Sequence, residues 1–200
     1  MTRGGNRLCL LYILYLVMII RSYDMNNFHF QPFPSLNTPR LHMRQLLHKD
    51  ARDILALRSD DAVNKYIDRP ATTTIEEAKA FIERINAGIA NNESLYWVIC
   101  LKDENDLIGT ICLWNFSADK KTAETGYELL PAFHNKGYMH EALHAVLQFA
   151  RETLGLESIE AFTHADNQSS RLLLEKNGFI KDPERQDKEN ENNIVMLRKF

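Results

Sequence analysis

The succession of elements between residues 122 and 164 most constrains the fold of this chain. Residues 122–130 have the pattern of a strand, and Pro131 ends it. After a short polar loop, apolar residues at spacings of three and four predict a helix over about 137–154. Residues 157–164 predict another strand. A strand, a long helix and a strand in this order indicate an α/β fold.

The remaining segments complete the pattern of one domain. Upstream, the sequence predicts a strand at 40–46, helices at 49–57, 61–67 and 74–89, and strands at 95–102 and 107–116. Downstream, it predicts a helix at 167–176 and strands near Phe179 and at 194–198. Thr74 and Glu77 have the spacing of a capping box at the start of the third helix. This order indicates a mixed α/β sheet rather than a doubly wound parallel one. With 200 residues, 44% of them hydrophobic, the chain can bury one sizeable core but not two full domains.

Charge and cysteine content exclude several classes of function. The formal net charge is −3, whereas nucleic-acid binding needs a basic surface, so we expect no nucleic-acid partner. Cys9, Cys100 and Cys112 have neither metal-ligand spacing nor the even count of a disulfide framework. We therefore expect no metal, and the predicted location is the reducing cytoplasm.

The first 24 residues form an apolar extension. Arg3 and Arg7 precede an apolar run at 8–20 that resembles a signal peptide or an anchor, but the run is shorter than the ~20 residues that span a bilayer. Two interpretations stay open: translation starts at Met25, or the run is a real anchor or interfacial segment. We expect an extension at 1–24, an irregular polar leader at 25–37 and a folded domain at 38–200. Membrane association is expected only if the run at 8–20 is real.

The loop before the long helix has the composition of an anion site. It reads His134-Asn135-Lys136-Gly137-Tyr138-Met139. A helix N-terminus leaves its first N–H groups free, and its dipole favours anions. Gly137 lets the backbone approach a phosphate closely, and Lys136 adds a positive charge. A polar loop with one glycine and no ligand has the same composition, so that alternative stays open on these residues alone.

The order and spacing of several segments resemble the GNAT superfamily of acetyl-CoA-dependent N-acetyltransferases, and most of all its ribosomal-protein alanine/serine N-acetyltransferase branch. The loop resembles the Q/R-x-x-G-x-G/A pyrophosphate motif, with His134 at the first position, Gly137 at the first glycine and Met139 at the last position. The branch's T-E-R-L, A-E-I-G-Y and G-Y-A-T-E-A segments resemble residues 38–41, 123–127 and 137–142. Its N-x-x-S and L-E-K-x-G-F segments resemble residues 167–170 and 174–179. The resemblance covers residue 38 to the C-terminus.

The resemblance implies a fold and a set of cofactor contacts. The fold would be a single GNAT-like domain, with a mixed, mostly antiparallel sheet flanked by helices and splayed where the co-substrate acetyl-CoA enters. Backbone amides from Asn135 to Met139, including Lys136 and Tyr138, would hold the pyrophosphate. Leu129 and Leu130, where the family's strand is bulged, would offer backbone groups to the pantetheine arm and an oxyanion hole to the thioester. Asn167 would bond the cofactor arm, although it also suits a helix N-cap.

The implied reaction is direct acetyl transfer, in a ternary complex, to a protein N-terminal α-amine or a small-molecule amine. Glu124 stands where several members carry a glutamate base, although an ion pair is its other possible role. Glu128 lies on the same strand face and is the second candidate. Many members use as acid a tyrosine seven residues after the asparagine; this chain has Leu174 there, so Ser170 becomes the candidate proton relay. Tyr127 is predicted to pack rather than to react.

Two other functions compete with this hypothesis. Residues 140–144 read His140-Glu141-x-x-His144, which is the zinc-protease signature H-E-x-x-H. However, both histidines lie on the side of the helix opposite its apolar stripe, and this side is predicted to be solvated. No third ligand follows at the expected spacing. A domain that binds acyl-CoA without turnover, as a sensor, is the other alternative.

Overall fold

A computed structural model describes residues 28–200, so the predictions for the apolar run at 8–20 and for Met25 lie outside the described residues. The strands are β1 (Leu36–Asn37), β2 (Leu41–Gln45), β3 (Leu95–Leu101), β4 (Gly109–Trp114), β5 (Thr122–Leu129), β6 (Ser158–His164), β7 (Ile180–Gln186) and β8 (Asn193–Lys199). The helices are α1 (Ala51–Ser59), α2 (Asp61–Asn64), α3 (Ile75–Ala90), α4 (Tyr138–Glu152) and α5 (Gln168–Lys176). Short 3₁₀ turns occupy His48–Asp50 and Pro131–Phe133.

The eight strands form one mixed sheet in the order β1-β2-β3-β4-β5-β6-β8-β7. Every neighbouring pair is antiparallel except β5 and β6, which are parallel. Helices cover both faces: Phe81 of α3 packs edge-on against Tyr96 of β3, whereas Phe149 of α4 packs against Trp97. Because successive strand residues point to opposite faces, α3 and α4 lie on opposite sides of the sheet. This confirms the predicted single α/β domain with a mostly antiparallel sheet.

The sheet is open at its one parallel junction. β5 and β6 pair only through their first three residues, which are Thr122↔Ser158, Ala123↔Ile159 and Glu124↔Glu160. Beyond Glu124 the two strands separate, and backbone groups at the C-terminal end of β5 are left facing the gap. The expected splay is therefore present, and it starts at the candidate base.

The last two strands lie in an order that the chain order does not suggest. β8 pairs with β6 along its full length, and β7 forms the outer edge. The sequence explains this arrangement physically, because β7 is almost entirely exposed and contains Pro183, which is tolerated at an edge. β8 carries Val195 and Met196, both buried, and so takes the inner position.

The leader was expected to be irregular and outside the domain, but its described part packs onto it. Phe30 is 1% exposed, and its N–H donates to Asn92 Oδ1 at 2.7 Å. The Trp97 indole donates to Pro34 O at 2.7 Å, and Leu36–Asn37 adds a short strand to β2. The folded unit thus includes residues 28–37.

Helix α3 begins with the capping box that the sequence predicts. The Glu77 N–H donates to Thr74 Oγ1 at 3.2 Å, and Glu77 Oε2 accepts from the N–H groups of Thr73 and Thr74. Helix α2 is shorter than expected and stops at Asn64. None of the helices within residues 28–200 combines the length and apolar character that a membrane crossing requires.

Candidate active site

A cavity of about 1830 Å³ opens where β5 and β6 separate, and it reaches both faces of the sheet. Nine of the eleven residues expected in the site line it: Glu124, Leu129, His134, Asn135, Gly137, Tyr138, Met139, Asn167 and Ser170. Leu130 and Lys136 do not line it. The side chain of Lys136 instead lies 5.5 Å from the centre of the Phe133 ring.

The loop before α4 presents backbone N–H groups at one end of the cavity. Asn135 and Gly137 both have positive φ, 61° and 79°. Gly137 is the N-cap of α4, and no side chain caps the N–H groups of the first helical turn. Positive φ favours glycine, and an added Cβ at Gly137 would come within 3.4 Å of the Arg40 guanidinium. His134 Nε2 bonds Leu129 O at 2.8 Å and thereby ties the loop to the end of β5. A helix start of this kind can hold a phosphate group.

The same loop is held from the first strands of the sheet. Glu141 Oε1 accepts from Thr38 Oγ1 at 2.6 Å and from the Arg40 N–H at 2.9 Å, and Glu141 Oε2 accepts from Arg40 Nε at 2.6 Å. Arg40 Nη1 donates to Lys136 O at 2.9 Å. Burial alone would raise the pKa of Glu141, but these donors outweigh it and lower the pKa. Two motifs about 100 residues apart in the chain therefore meet here.

The end of β5 offers a backbone donor to the gap, and Leu129 is better placed for this than Leu130. The Leu130 N–H donates to Ile108 O at 2.9 Å, and Leu130 O accepts from the Phe133 N–H at 2.9 Å, so both backbone groups are occupied. Antiparallel strands alternate the direction of their N–H groups, so the N–H of Leu129 points away from β4, into the gap. The β4–β5 register stays regular through Gly109↔Leu129, so the expected bulge is absent from this pair.

Glu124 lies at the point where the gap begins. Its carboxylate accepts a long hydrogen bond from the Asn115 amide, whose Nδ2 is 3.5 Å from Glu124 Oε2. Burial, together with the nearby Glu160, Asp187 and Glu189 carboxylates, raises the pKa of Glu124 to about 7, although the hydrogen bond from Asn115 opposes the rise. Glu124 therefore has no cation partner within the described residues, and near neutral pH it can both accept and release a proton.

Glu128, the second candidate base, is tied into an ion pair. Arg69 Nη1 contacts Glu128 Oε1, and Arg69 Nη2 donates to Glu128 Oε2 at 2.9 Å. Arg58 Nη1 lies 3.8 Å from Glu128 Oε1. Arg69 therefore occupies both oxygens of Glu128, so this carboxylate is less available to a substrate than Glu124 is. Neither arginine could be linked to Glu128 from the sequence, because Arg69 is 59 and Arg58 is 70 residues away along the chain.

Ser170 is part of a chain of hydroxyl groups. The Thr163 hydroxyl donates to Ser170 Oγ at 2.9 Å, and Tyr127 Oη lies 2.8 Å from the same oxygen. Burial raises the pKa of Tyr127 to about 12, so its hydroxyl stays protonated. Tyr127 was predicted only to pack, and the structure adds this hydrogen bond. The alternation of side chains along a strand places Tyr127 on the other face of β5 from Glu124. No further feature of the sequence indicated its contact with Ser170.

Asn167 and Leu174 occupy the positions that their residue types favour. Asn167 Oδ1 accepts from the Ser170 N–H at 3.1 Å and so caps α5, while the residue also lines the cavity. Leu174 is fully buried in the core. Leu174 also lines the cavity, so the position at which many GNAT enzymes carry a tyrosine acid offers no proton donor in this chain.

The H-E-x-x-H helix is used differently from a zinc site. Glu141 is bound by Thr38 and Arg40, as described above. His144 is exposed, but His140 is half-buried, unlike the solvated position predicted for it. Burial, Lys176 and His144 lower the pKa of His140. Among residues 28–200 no three His, Cys, Asp or Glu side chains come together in a way that could hold a metal ion.

Comparison with known proteins agrees with this geometry. Residues 40–180 match the family described as acetyltransferase (GNAT) domain. The uncharacterized N-acetyltransferase YoaA of Bacillus subtilis (strain 168) is 35% identical over 150 residues, which are 75% of this chain and 85% of that protein. The ribosomal-protein-S5-alanine acetyltransferase from Vibrio fischeri superposes with a TM-score of 0.70 at 21% identity, covering 83% of this chain and 96% of its own. The microcin C7 self immunity acetyltransferase MccE, solved with acetyl-CoA and AMP, gives 0.72 at 20% identity over 82% and 94% of the two chains. The chain therefore belongs to the GNAT family of N-acetyltransferases.

Proposed function

We propose that this protein transfers the acetyl group of acetyl-CoA directly to a primary amine, with Glu124 as the general base. The observation that carries the proposal is a half-buried carboxyl group without a cation partner in the described chain, at the start of the β5–β6 gap. A base is most effective when its pKa lies near the working pH, and the pKa of Glu124 is about 7. Acetyl-CoA supplies the activated acetyl group.

The cofactor end of the cavity suits an anionic, extended molecule. Free N–H groups at Tyr138 and Met139, preceded by the left-handed Asn135 and Gly137, would hold the pyrophosphate, as the family resemblance implies. The exposed Lys136 side chain would add long-range attraction. The Leu129 N–H would stabilise negative charge that develops on the reacting carbonyl oxygen. Asn167 would bond the arm of the molecule through the amide nitrogen that its capping role leaves free.

The acceptor would approach from the opposite face of the sheet. Glu124 and Glu128 alternate with Thr125 and Tyr127, and they share their face with Tyr96, which packs against α3. The α4 N-terminus lies on the other face. Two molecules entering from opposite faces would meet at the gap, and this arrangement supports direct transfer without an acetylated enzyme.

The benefit of a base at Glu124 depends on the pKa of the acceptor amine. An α-amine with a pKa near ~8 is about one tenth neutral at pH 7, whereas a lysine amine near ~10.4 is below one thousandth neutral. The base therefore accelerates lysine-like amines more than protein N-termini. Asp187 and Glu189 near the gap favour the approach of a cationic amine.

Ser170 would return a proton to the departing thiolate. Its oxygen accepts from Thr163, and when Tyr127 also donates, both acceptor positions of Ser170 are filled. The hydrogen of Ser170 is then free to point at the sulfur, and the two donors hold it in that orientation.

The proposal is tested by incubating purified protein with acetyl-CoA and a panel of primary amines and following the release of CoA thiol. Thermal unfolding with acetyl-CoA alone tests cofactor binding separately. At ~100 times Kd the ligand should raise the unfolding temperature by about 5–10 °C. Glu124→Gln should keep this shift and lower kcat by about 10²–10⁴-fold on lysine-like amines.

Glu160→Gln is the matched control for Glu124→Gln. Glu160 stands beside Glu124 in the sheet register, but Arg185 binds both of its oxygens, at 2.5 and 2.8 Å. Its substitution should change kcat by less than about tenfold. Equal losses in the two variants would remove Glu124 as the base. Binding of acetyl-CoA without turnover on any amine would favour the sensor alternative.

A further inference from the structure

The acceptor face holds an arginine whose charge the protein leaves only partly compensated. Arg58 of α1 lines the cavity, and 13% of its side chain is exposed. Its Nε donates to Thr72 Oγ1 at 3.2 Å, but neither Nη group makes a hydrogen bond to a residue within 28–200. The guanidinium stacks on the Phe81 ring, 4.0 Å from the ring centre.

Within residues 28–200, the only carboxylate in contact with Arg58 is already occupied. Both oxygens of Glu128 are bound by Arg69, and Arg58 Nη1 reaches Glu128 at 3.8 Å, beyond hydrogen-bond distance. Arg84 adds further positive charge, since its guanidinium lies 5.4 Å from the centre of the same Phe81 ring. Burial lowers the pKa of Arg58, and Arg69 lowers it further. Arg58 and Arg69 thus share one carboxylate, and Arg84 adds a third positive charge near Arg58.

A second unsatisfied group lies at the same part of the cavity wall. Tyr96 is 8% exposed and lines the cavity, and its hydroxyl has no well-formed hydrogen bond within the described chain, although Thr110 lies beside it. The Tyr96 ring contacts Phe81 edge-on, with 5.7 Å between ring centres. Burial raises the pKa of Tyr96, so the hydroxyl remains a donor. The Tyr96 hydroxyl is enclosed behind the wall, so the Nη groups of Arg58 are the unused donors that a ligand in the cavity can reach and satisfy.

We propose that Arg58 is an anion-recognition subsite of the acceptor pocket, so that the acceptor is a small amine that also carries a carboxylate or phosphate group. This inference rests on the proposed function, because it places the amine at Glu124. Glu124 and Glu128 are four residues apart on one strand face, about 13 Å at ~3.3 Å per residue. With Arg58 beside Glu128, the amine and the anion of the acceptor lie on the order of 10 Å apart.

Glycine peptides of two to five residues test the subsite, because each has one α-amine and one carboxylate at a defined separation. Each peptide is compared with its C-terminal amide, which has nearly the same size but no negative charge. At ~3.3–3.6 Å per residue, triglycine spans about 10 Å and should show the largest preference for the free acid. We expect kcat/KM to be about 10- to 100-fold higher for the acid than for the amide. An aminoalkyl phosphate of similar length distinguishes phosphate from carboxylate as the preferred anion.

Arg58→Met should reduce the acid-over-amide ratio of kcat/KM to about one, chiefly by raising KM for the acids. Equal turnover of acids and amides by the wild-type protein would overturn the subsite and leave the acetyltransferase proposal intact. Failure of the proposed function is distinguishable, since it would appear as no thermal shift with acetyl-CoA and no CoA release with any peptide.

A stability comparison tests the same inference without a substrate. Arg69→Met leaves Glu128 buried without its main partner and should lower the unfolding temperature by at least about 5 °C. Arg58→Met removes an under-compensated charge while keeping the contact with Phe81, so the unfolding temperature should stay the same or rise. If Arg58→Met destabilises the protein as much as Arg69→Met, Arg58 is a structural partner of Glu128 and the subsite is wrong.

Discussion

Two glutamates on β5 illustrate how neighbours decide what a carboxyl group can do. Glu124 and Glu128 share a strand and a face, and from the sequence they were adjacent candidates for one role. Arg69 neutralises Glu128, whereas Glu124 has only a weak amide contact and several carboxylates nearby. The same residue type is therefore tied into an ion pair at one position and left without a cation partner in the described chain at the other.

Glu124 should make the stability of the protein depend on pH. Its pKa is about 7 in the folded protein and near 4.5 when unperturbed, so between these values the folded state binds more protons than the unfolded state. The free energy of unfolding contributed by this group therefore falls as the pH rises from about 4.5 to about 7. Glu124→Gln cannot ionise and should raise the unfolding temperature at pH 8 but not at pH 4.5, as measured by calorimetry. A lower unfolding temperature of the variant at pH 8 would contradict the burial of this charge.

Ser170 should affect the chemical step more than binding. Ser170→Ala removes one hydroxyl from the Thr163–Ser170–Tyr127 chain, and we expect kcat to fall about tenfold, which corresponds to about 1.4 kcal/mol or one hydrogen bond. KM for acetyl-CoA should change little. Steady-state kinetics at saturating amine measure both values, and Gln168→Ala, at an exposed residue of α5 that does not line the cavity, is the control. A loss confined to KM would show that Ser170 binds the cofactor instead.

At the scale of elements, local signals predicted what local chemistry determines. The capping box of α3, the proline end of β5 and the stripe of α4 all depend on residues within a few positions, and all three appear in the structure. The insertion of β8 between β6 and β7 and the grouping of Arg58 and Arg69 around Glu128 depend on distant residues. The hydrophobic pattern of a sequence does not indicate contacts between distant residues. The strand order and the two arginines around Glu128 could therefore not be predicted.

The hydrogen bonds that join Glu141 of α4 to Thr38 and Arg40, just before β2, should stabilise the loop that precedes α4. Glu141→Gln replaces a carboxylate that accepts three hydrogen bonds, so we expect a loss of about 1.5–3 kcal/mol in the free energy of unfolding, measured by urea denaturation. Acetyl-CoA should also bind more weakly, because Arg40 then no longer holds Lys136 O in place. His144→Gln, at the exposed end of the same H-E-x-x-H motif, should change neither quantity. A fall in unfolding temperature on adding a chelator to the wild-type protein would instead revive the metal hypothesis.

At the scale of the whole molecule, the gap between β5 and β6 explains why the sheet needs support elsewhere. Parallel pairing stops after three residues, so the two halves are joined there by few backbone bonds. The antiparallel pairs on either side, and the helices that pack on both faces, must hold the halves together. The leader contributes to the first half, since Phe30 is buried in the core and β1 extends the sheet edge. Sequence reasoning left the leader outside the domain because its prolines disfavour regular structure, although aromatic residues between prolines can still be buried.

Phe30 should therefore be essential for the stability of the domain. Phe30→Ala leaves a cavity in the core and should lower the free energy of unfolding by about 3–5 kcal/mol in urea denaturation, with an unchanged m-value. Ile180→Ala is the matched control, because Ile180 is 74% exposed on the edge strand β7 and its truncation should cost less than about 0.5 kcal/mol. If the two variants are equally stable, residues 28–37 merely lie on the surface and the domain starts at residue 38. If Phe30→Ala is the weaker protein, the folded acetyltransferase domain begins at or before residue 28, and truncation at 38 should abolish cooperative unfolding together with acetyl-CoA binding.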